Sequence, residues 1–381
     1  MKVGVVTFHS AFNFGASLQT WALQQTLKAC GVSPCLVHYH PPALDRLYDP
    51  IKVSAPLARF VQRMKLKRQH PERLERYRRY REFIATHFNL LGDFSDYEQL
   101  TQAQWDLDAC IVGSDQVWNV AHTKGYDPAY FLEFLPDTTK RIAYAASVGR
   151  DFIFPKYHEP MREGLRRFSA VSVREESIRD TVRHLYDGDV AVTLDPTLLL
   201  ERHQYDALLK QPCTRPEPYI LVYMMENNKA LIRLTNRISR SVGLPVIQRR
   251  PSKMFQHEIE NFFTATPGEF LSLLEGATYV ITNSFHGTVF AIIYEKPFFS
   301  MLHSNTGSRT ANLLTTLGLE KHLLTTPDDF RGFDRFRLED PAATQRRIQE
   351  LRADSMRFLT TALGLPPTVA PHHDATHSIA R

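Results

Sequence analysis

The chain has 381 residues, 43% of them apolar and 23% charged, with a net charge of +5. That length exceeds one ordinary core and suits two domains, and the balance is that of a globular protein. No apolar run reaches the roughly 18–20 residues of a membrane span, and the mild positive charge does not by itself imply nucleic acid.

The opening segment, Lys2–Phe8, is a β-branched run and reads as a first strand rather than a signal peptide. A loop with Asn13, Phe14 and Gly15 follows, and "SLQTWALQQTLKAC" then shows helical periodicity that stops at Gly31, with Ser17 as a possible cap. Cys35–Tyr39 is the next expected strand. Cys30, Cys35, Cys110 and Cys213 lack metal-ligand spacing, which points to a reducing, cytoplasmic setting.

Between Arg59 and Arg81 the chain is strongly basic, with tyrosines and leucines interleaved and a break near Pro71. Such a run is ordinarily the solvated face of one or two helices. It also suits a peripheral contact with an anionic membrane face or a lipid-linked diphosphate. No RNA-module signature accompanies it, so nucleic acid is not expected.

Four further strands are expected at Ala109–Ser114, Arg141–Ser147, Ala170–Glu175 and Val190–Asp195. Short apolar runs separated by helical stretches describe parallel strands covered on both faces. The three prolines of "KQPCTRPEP" mark a linker, and the same pattern restarts after it with Tyr219–Met225, a helix, "PVIQRR", "TYVITNS" and "PFFSM". The expected fold class is therefore α/β: two Rossmann-like domains facing across a cleft. Residues 1–210 form the first, with a basic helical insertion at about 56–90, and 211–218 link it to the second at 219–340. A helix over 341–365 packs back, and 366–381 is an expected disordered tail. His372, His373 and His377 in that tail offer metal ligands without fixed geometry.

Ligands of facing α/β units bind at the carboxyl ends of the strands, so polar residues there are the candidates. "TYVITNS" leads straight into "HGTVFAIIYE". Ser284 stands at the N-cap position, Gly287 permits close approach, and Thr288 lies in the first turn. A helix start favours a phosphate or carboxylate, and His286 beside such an anion is placed to transfer a proton. The strand "VSVREES" delivers Arg174, whose planar fork suits an oxyanion or an ion pair with Glu175 or Glu176. Arg309 opens a helix after "HSNTGS". In the first domain Asn13 and Gly15 occupy the first strand-to-helix loop. Ser114, Asp115, Gln116 and Trp118 end another strand, a set of hydrogen-bonding groups beside an indole that suits a sugar or a capped helix start. "TLDPTLLL" sets Asp195 before Pro196 and reads as a turn rather than as a catalytic acid.

Taken together and in order, "NFGASLQTWAL", "GSDQVWN", "AYAASVG", "SVREES", "TLDPTLLL" and "NSFHGTVFAIIYEKP" resemble the polysaccharide pyruvyl transferase family over roughly Val3 to Leu319. The resemblance implies a glycosyltransferase-B-like fold, phosphoenolpyruvate as donor substrate with no other cofactor, and a sugar or lipid-linked oligosaccharide as acceptor. It implies a pyruvate ketal in a surface polysaccharide or capsule, made in the cytoplasm or at the inner membrane face. The family's motif arginine falls on Arg174 and its histidine on His286. Many members carry arginine and leucine where this chain has Ser284 and Phe285, and Arg309 replaces a downstream basic ligand by position. Joined to the reading of the strand ends, this gives His286 as acid, Arg174, Arg309, Ser284, Gly287 and Thr288 around the donor, and Asn13, Gly15, Ser114, Asp115, Gln116 and Trp118 around the acceptor as the expected roles. No metal cluster stands out, and a metal-free reaction is expected.

Two other readings stay open. One is a nucleotide-sugar glycosyltransferase of the same architecture. Such an enzyme commonly holds the ribose with a glutamate after this junction, where the chain carries Val289–Ile293 and no acid before Glu295. The other is a non-catalytic glycan-binding protein.

Overall fold

The computed structural model describes residues 1–51, 55–209, 217–249, 254–304, 307–330, 338 and 340–366. Most of the expected linker and nearly all of the expected tail, with its three histidines and Cys213, lie outside the described residues.

Seven strands form the first sheet: β1 (Lys2–Val6), β2 (Ser33–Tyr39), β3 (Leu90–Phe94), β4 (Ala109–Gly113), β5 (Lys140–Ala146), β6 (Ala170–Val173) and β7 (Val190–Val192). Their order is β3-β2-β1-β4-β5-β6-β7, and every pairing is parallel. Six more form the second sheet: β8 (Ile220–Tyr223), β9 (Val246–Gln248), β10 (Glu258–Asn261), β11 (Tyr279–Thr282), β12 (Phe298–Met301) and β13 (Leu323–Leu324). These run β10-β9-β8-β11-β12-β13, again all parallel. The central strands are buried on both faces, which is why they read as unbroken apolar runs.

Both orders reverse direction at one place, between β1 and β4 in the first sheet and between β8 and β11 in the second. A crevice opens at each such switch point, outside the carboxyl ends of the strands. The two crevices meet, because the helix Phe14–Ala29 after β1 packs on the second domain. Phe14 stacks on Phe270 at 4.7 Å between ring centroids and 4° between planes, with Tyr223 and Phe262 against it. The helix Pro341–Leu363 returns across the first domain, where Ser355 accepts from the Leu194 N–H and Arg352 donates to the carbonyls of Leu198 and Leu200.

The basic segment folds as two helices, Pro56–Gln69 and Pro71–His87. Part of the second is a strut between domains rather than an open surface. Arg79 reaches Glu269 at 2.5 Å and the Thr264 carbonyl at 3.1 Å, and Arg76 donates to the Phe12 carbonyl while lying over the Phe263 ring. The first helix differs: Leu57, Phe60, Val61 and Met64 are all exposed beside its arginines and lysines. Among the described residues no helix is long and apolar enough to cross a membrane.

Candidate active site between the two domains

A cavity of about 330 Å³ lies where the two switch points face each other. The first domain supplies Asn13 from the loop after β1, and Asp115 and Gln116 from the exit of β4. The second supplies Phe285 and His286 from the exit of β11 and Arg309 from the helix Ser308–Thr316. A second hollow, of about 520 Å³, lies by the returning helix, but its charges pair with one another, Arg202 with Glu275 and Arg352 with Glu201.

Ser284 caps the helix Phe285–Ile293 as the sequence implies, its hydroxyl accepting from the Gly287 N–H at 3.3 Å. The start of that helix therefore faces the cavity with N–H groups that have no intrahelical acceptor. His286 follows the cap and is buried against the first domain. A Cβ on Gly15 would fall 2.1 Å from His286 Nδ1, so the imidazole sits in a notch that only a glycine leaves open. On its other side, His286 Nε2 lies 3.4 Å from Asp195 Oδ2, an ion-pair distance without hydrogen-bond alignment.

Asp195 is the residue that the sequence reading undervalued. It does make the expected turn, its Oδ1 accepting from the backbone N–H and the hydroxyl of Thr197. Its Oδ2 also accepts from Arg174 at 2.7 Å and from Ser114 at 3.0 Å, and it faces His286. Burial pushes this carboxyl up, but His286, Arg174 and the Thr197 hydroxyl together outweigh burial and hold it far below the usual carboxylate range. The available signal was position: Asp195 follows a strand exit, the criterion that singled out Arg174.

Arg174 is wholly enclosed. Its Nε donates to Glu175 at 2.9 Å and its guanidinium lies 4.5 Å from the centre of the Phe285 ring. Burial disfavours its charge, but Glu175 and Asp195 more than compensate and raise its pKa. Its Nη2 is buried with no hydrogen-bond partner. Arg174 thus stands behind the cavity wall and anchors Asp195 instead of facing the opening. Arg309 does lie on the wall, 5.7 Å from the centre of the same ring, and Arg150 of the first domain lines the cavity as well. Burial and the charge of Arg174 lower its pKa to about 10, so it remains cationic at neutral pH.

Several other candidates lie elsewhere. Gly287 is required by the strand, since a Cβ there would meet Thr282 Oγ1 at 2.3 Å. The Thr288 hydroxyl is buried and bonded to Ser300 at 2.6 Å. Ser114 turns inward to Asp195. Trp118 is no sugar platform: it is buried, stacked on Phe131, and its Nε1–H donates to the Tyr130 carbonyl. Asn13, not Ser17, caps the first helix, accepting from the Gly15 N–H at 2.9 Å. Asp115 and Gln116 do line the cavity. Asp115 holds a left-handed backbone conformation (φ 63°), a strained state that recurs at functional sites.

The profile of the polysaccharide pyruvyl transferase family matches residues 13–305, most of the chain and both halves of the cavity. The chain belongs to that family. It is accordingly a transferase, of a family that pyruvylates polysaccharides, and its acceptor is a sugar. No curated protein matches in sequence. Among solved structures, a UDP-N-acetylglucosamine 2-epimerase from Listeria monocytogenes superposes with a TM-score of 0.50 at 11% identity, over 97% of this chain and 98% of that one. MnaA of S. aureus with UDP gives 0.47 at 12%, over 96% and 92%, and heptosyltransferase WaaC of E. coli with ADP gives 0.41 at 12%, over 92% and 100%. The two facing parallel sheets and the superposition on the Listeria epimerase make this the two-domain glycosyltransferase-B-like arrangement.

Proposed function

We propose that the chain transfers the enolpyruvyl unit of phosphoenolpyruvate to two hydroxyls of one sugar, forming a pyruvate ketal in a surface polysaccharide or its lipid-linked precursor. The observation that carries this is the His286–Asp195–Arg174 array behind a cavity that Arg309 and a helix start make favourable to anions.

Phosphoenolpyruvate is small and carries a phosphate and a carboxylate. Arg309 and the first-turn N–H groups after Ser284 are groups on the wall that match those ends. Ketal formation starts with a proton delivered to the methylene carbon, which leaves the adjacent carbon electron-poor. One sugar hydroxyl bonds to that carbon and loses its proton. The phosphate then departs with the C–O bonding pair, and the second hydroxyl bonds to the same carbon and loses its proton, so that of the two hydroxyl protons one restores the acid and one leaves with phosphate. His286 supplies the first proton. Asp195 fixes the ring, while Arg174 and Ser114 fix Asp195. Asp115 and Gln116, on the opposite wall, are positioned for the acceptor.

The exposed face of the helix Pro56–Gln69 supports a lipid-linked acceptor. Its apolar residues and its cations suit the interface of an anionic membrane, as on the inner face.

The test is incubation of the purified chain with phosphoenolpyruvate and lipid-linked glycans, scored for released phosphate and product mass. A product heavier by one pyruvylidene group, with one phosphate released, is expected. Phosphate release without a glycan product, or glycan binding without phosphate release, overturns the reading.

A further inference from the structure

A second cluster of chemistry-bearing side chains lies outside the cavity, where β2 and β3 end. His38 and His40 are two residues apart, so they leave the same face of the extended chain. Asp93 comes from the neighbouring strand β3. One ligating atom from each of these three residues lies within 4.8 Å of the others. Asp93 Oδ1 is 2.5 Å from His40 Nε2 and 3.6 Å from His38 Nε2.

The surrounding hydrogen bonds decide which ring nitrogens carry lone pairs. His9 is fully buried, and its Nδ1 lies 3.0 Å from the Thr7 carbonyl, which can only accept. Nδ1 of His9 therefore carries the hydrogen, and the neutral ring offers a lone pair at Nε2. That atom is 2.8 Å from His38 Nδ1, so His38 donates there. The remaining nitrogen of neutral His38, Nε2, then presents a lone pair toward the Asp93 carboxylate. His40 has a carboxylate at each nitrogen, Asp45 Oδ2 at 2.9 Å from Nδ1 and Asp93 at Nε2. A protonated His40 donates to both carboxylates, but the lone pair of His38 Nε2 still faces Asp93 Oδ1 at 3.6 Å, a repulsion that a bound cation removes.

We propose that His38 Nε2, His40 Nε2 and Asp93 Oδ1 bind a divalent metal ion. Two imidazoles and one carboxylate are a donor set that suits zinc, with water in the fourth position. The outer groups already have the arrangement that metal-bound histidines use: Asp45 accepts from the far nitrogen of His40, and His9 accepts from that of His38. Asp93 is exposed along most of its side chain (76%), which gives the ion a path from solvent. Bound there, the ion ties β2 to β3 and, through His40 and Asp45, to the helix Pro42–Tyr48. Leu44 and Tyr48 of that helix line the cavity, so the ion braces one wall of the cleft. Its role is structural and independent of the ketal-forming reading.

The full-length chain, stripped with a chelator, is titrated with zinc chloride by calorimetry and with cobalt(II) by visible absorption. We expect one equivalent that Asp93→Ala abolishes while circular dichroism stays native, and a 10–100-fold weakening in Asp45→Asn, the usual cost of removing such an outer partner. Ala replacements at His372, His373 and His377 are expected to leave that equivalent in place. The proposal fails if no zinc binds, or if Asp93→Ala and Asp45→Asn bind as the parent does. Should Asp93→Ala not fold, the Asp45→Asn affinity decides alone.

Discussion

Arg174 and His286 meet at a single oxygen atom: Asp195 Oδ2 lies 2.7 Å from the guanidinium and 3.4 Å from the imidazole. Arg174 and Asp195 belong to the first sheet's strand exits and His286 to the second's. The contact between this carboxylate and the imidazole therefore crosses the domain boundary. His286→Ala removes the proposed proton donor and leaves the carboxylate satisfied by Arg174, Ser114 and Thr197. Turnover is expected to fall by about 10²–10⁴, the usual worth of positioned proton transfer, with the fold intact by circular dichroism. Phosphate release measured under saturating donor reads this directly, and undiminished release removes the acid role.

Asp195→Asn has a different signature, because it leaves Arg174 buried with one carboxylate fewer. Breaking a buried pair in this way costs about 3–5 kcal/mol. The sign with pH follows from the depressed carboxyl. A folded-state pKa below the unfolded value gives stability that is fully present above about pH 4 and lost as pH falls toward the folded value. The gap between parent and variant should be widest near neutrality and shrink by up to about 1.4 kcal/mol for each unit below pH 4. Denaturant titrations at pH 7 and pH 3 measure it, and a gap that does not narrow in acid counts against the ion pair.

Gly15→Ala tests the notch. The added methyl would collide with His286 Nδ1, while alanine itself favours a helix over glycine by about 1 kcal/mol. The two effects oppose each other in stability but not in catalysis. A displacement of about 1 Å in a reacting group commonly costs about 10² in rate. The expected result is a melting temperature within a few degrees of the parent and a kcat lowered about 100-fold. A variant with parental kcat would mean that the imidazole position does not matter.

What the sequence disclosed, and what it withheld, follows from burial. Strands such as β4 and β8 are enclosed on both faces, so each is an uninterrupted apolar run. The edge strands β3, β10 and β13 were not anticipated. β3 (LLGDF) and β10 (EIEN) are largely open to solvent, and nothing in their composition separates them from loops. Asp93 lies on β3, and for that reason the His38–His40–Asp93 cluster could not be assembled from spacing. His286 was legible because a helix cap and a glycine flank it. Asp195 was concealed by the proline after it, which offered a sufficient local explanation. Trp118 misled in the opposite direction: polar neighbours suggested an exposed indole, whereas Asp115 and Gln116 turn to the cavity and the ring turns to the core.

On the proposed reading Arg309 is a cation of the cavity wall that contacts the donor, while Arg174 stays engaged with its carboxylates. Arg309→Met should raise KM for phosphoenolpyruvate about tenfold or more, since a charge-assisted contact is worth about 1.5–3 kcal/mol. KM for the sugar should change little. A matched rise in both constants would mean that the variant has altered the cleft as a whole instead of one end of it.

The helix Pro56–Gln69 separates surface recruitment from chemistry. Leu57, Phe60, Val61 and Met64 are exposed by 77%, 63%, 59% and 53%, on a helix that carries five arginines and lysines. Each buried methylene is worth about 0.8 kcal/mol at a membrane interface, and each nearby cation about 1 kcal/mol on an anionic surface. Replacing Phe60 and Met64 together with glutamate removes the first contribution and opposes the second. In flotation with vesicles rich in phosphatidylglycerol, the parent is expected to rise with the lipid and the double variant to stay below. Turnover of a water-soluble acceptor should be equal in the two, because neither side chain lines the cavity. Turnover of a lipid-linked acceptor in vesicles should fall at least tenfold in the variant. Flotation unchanged by both substitutions would assign this helix to solvent and leave delivery of a lipid-linked sugar to another surface.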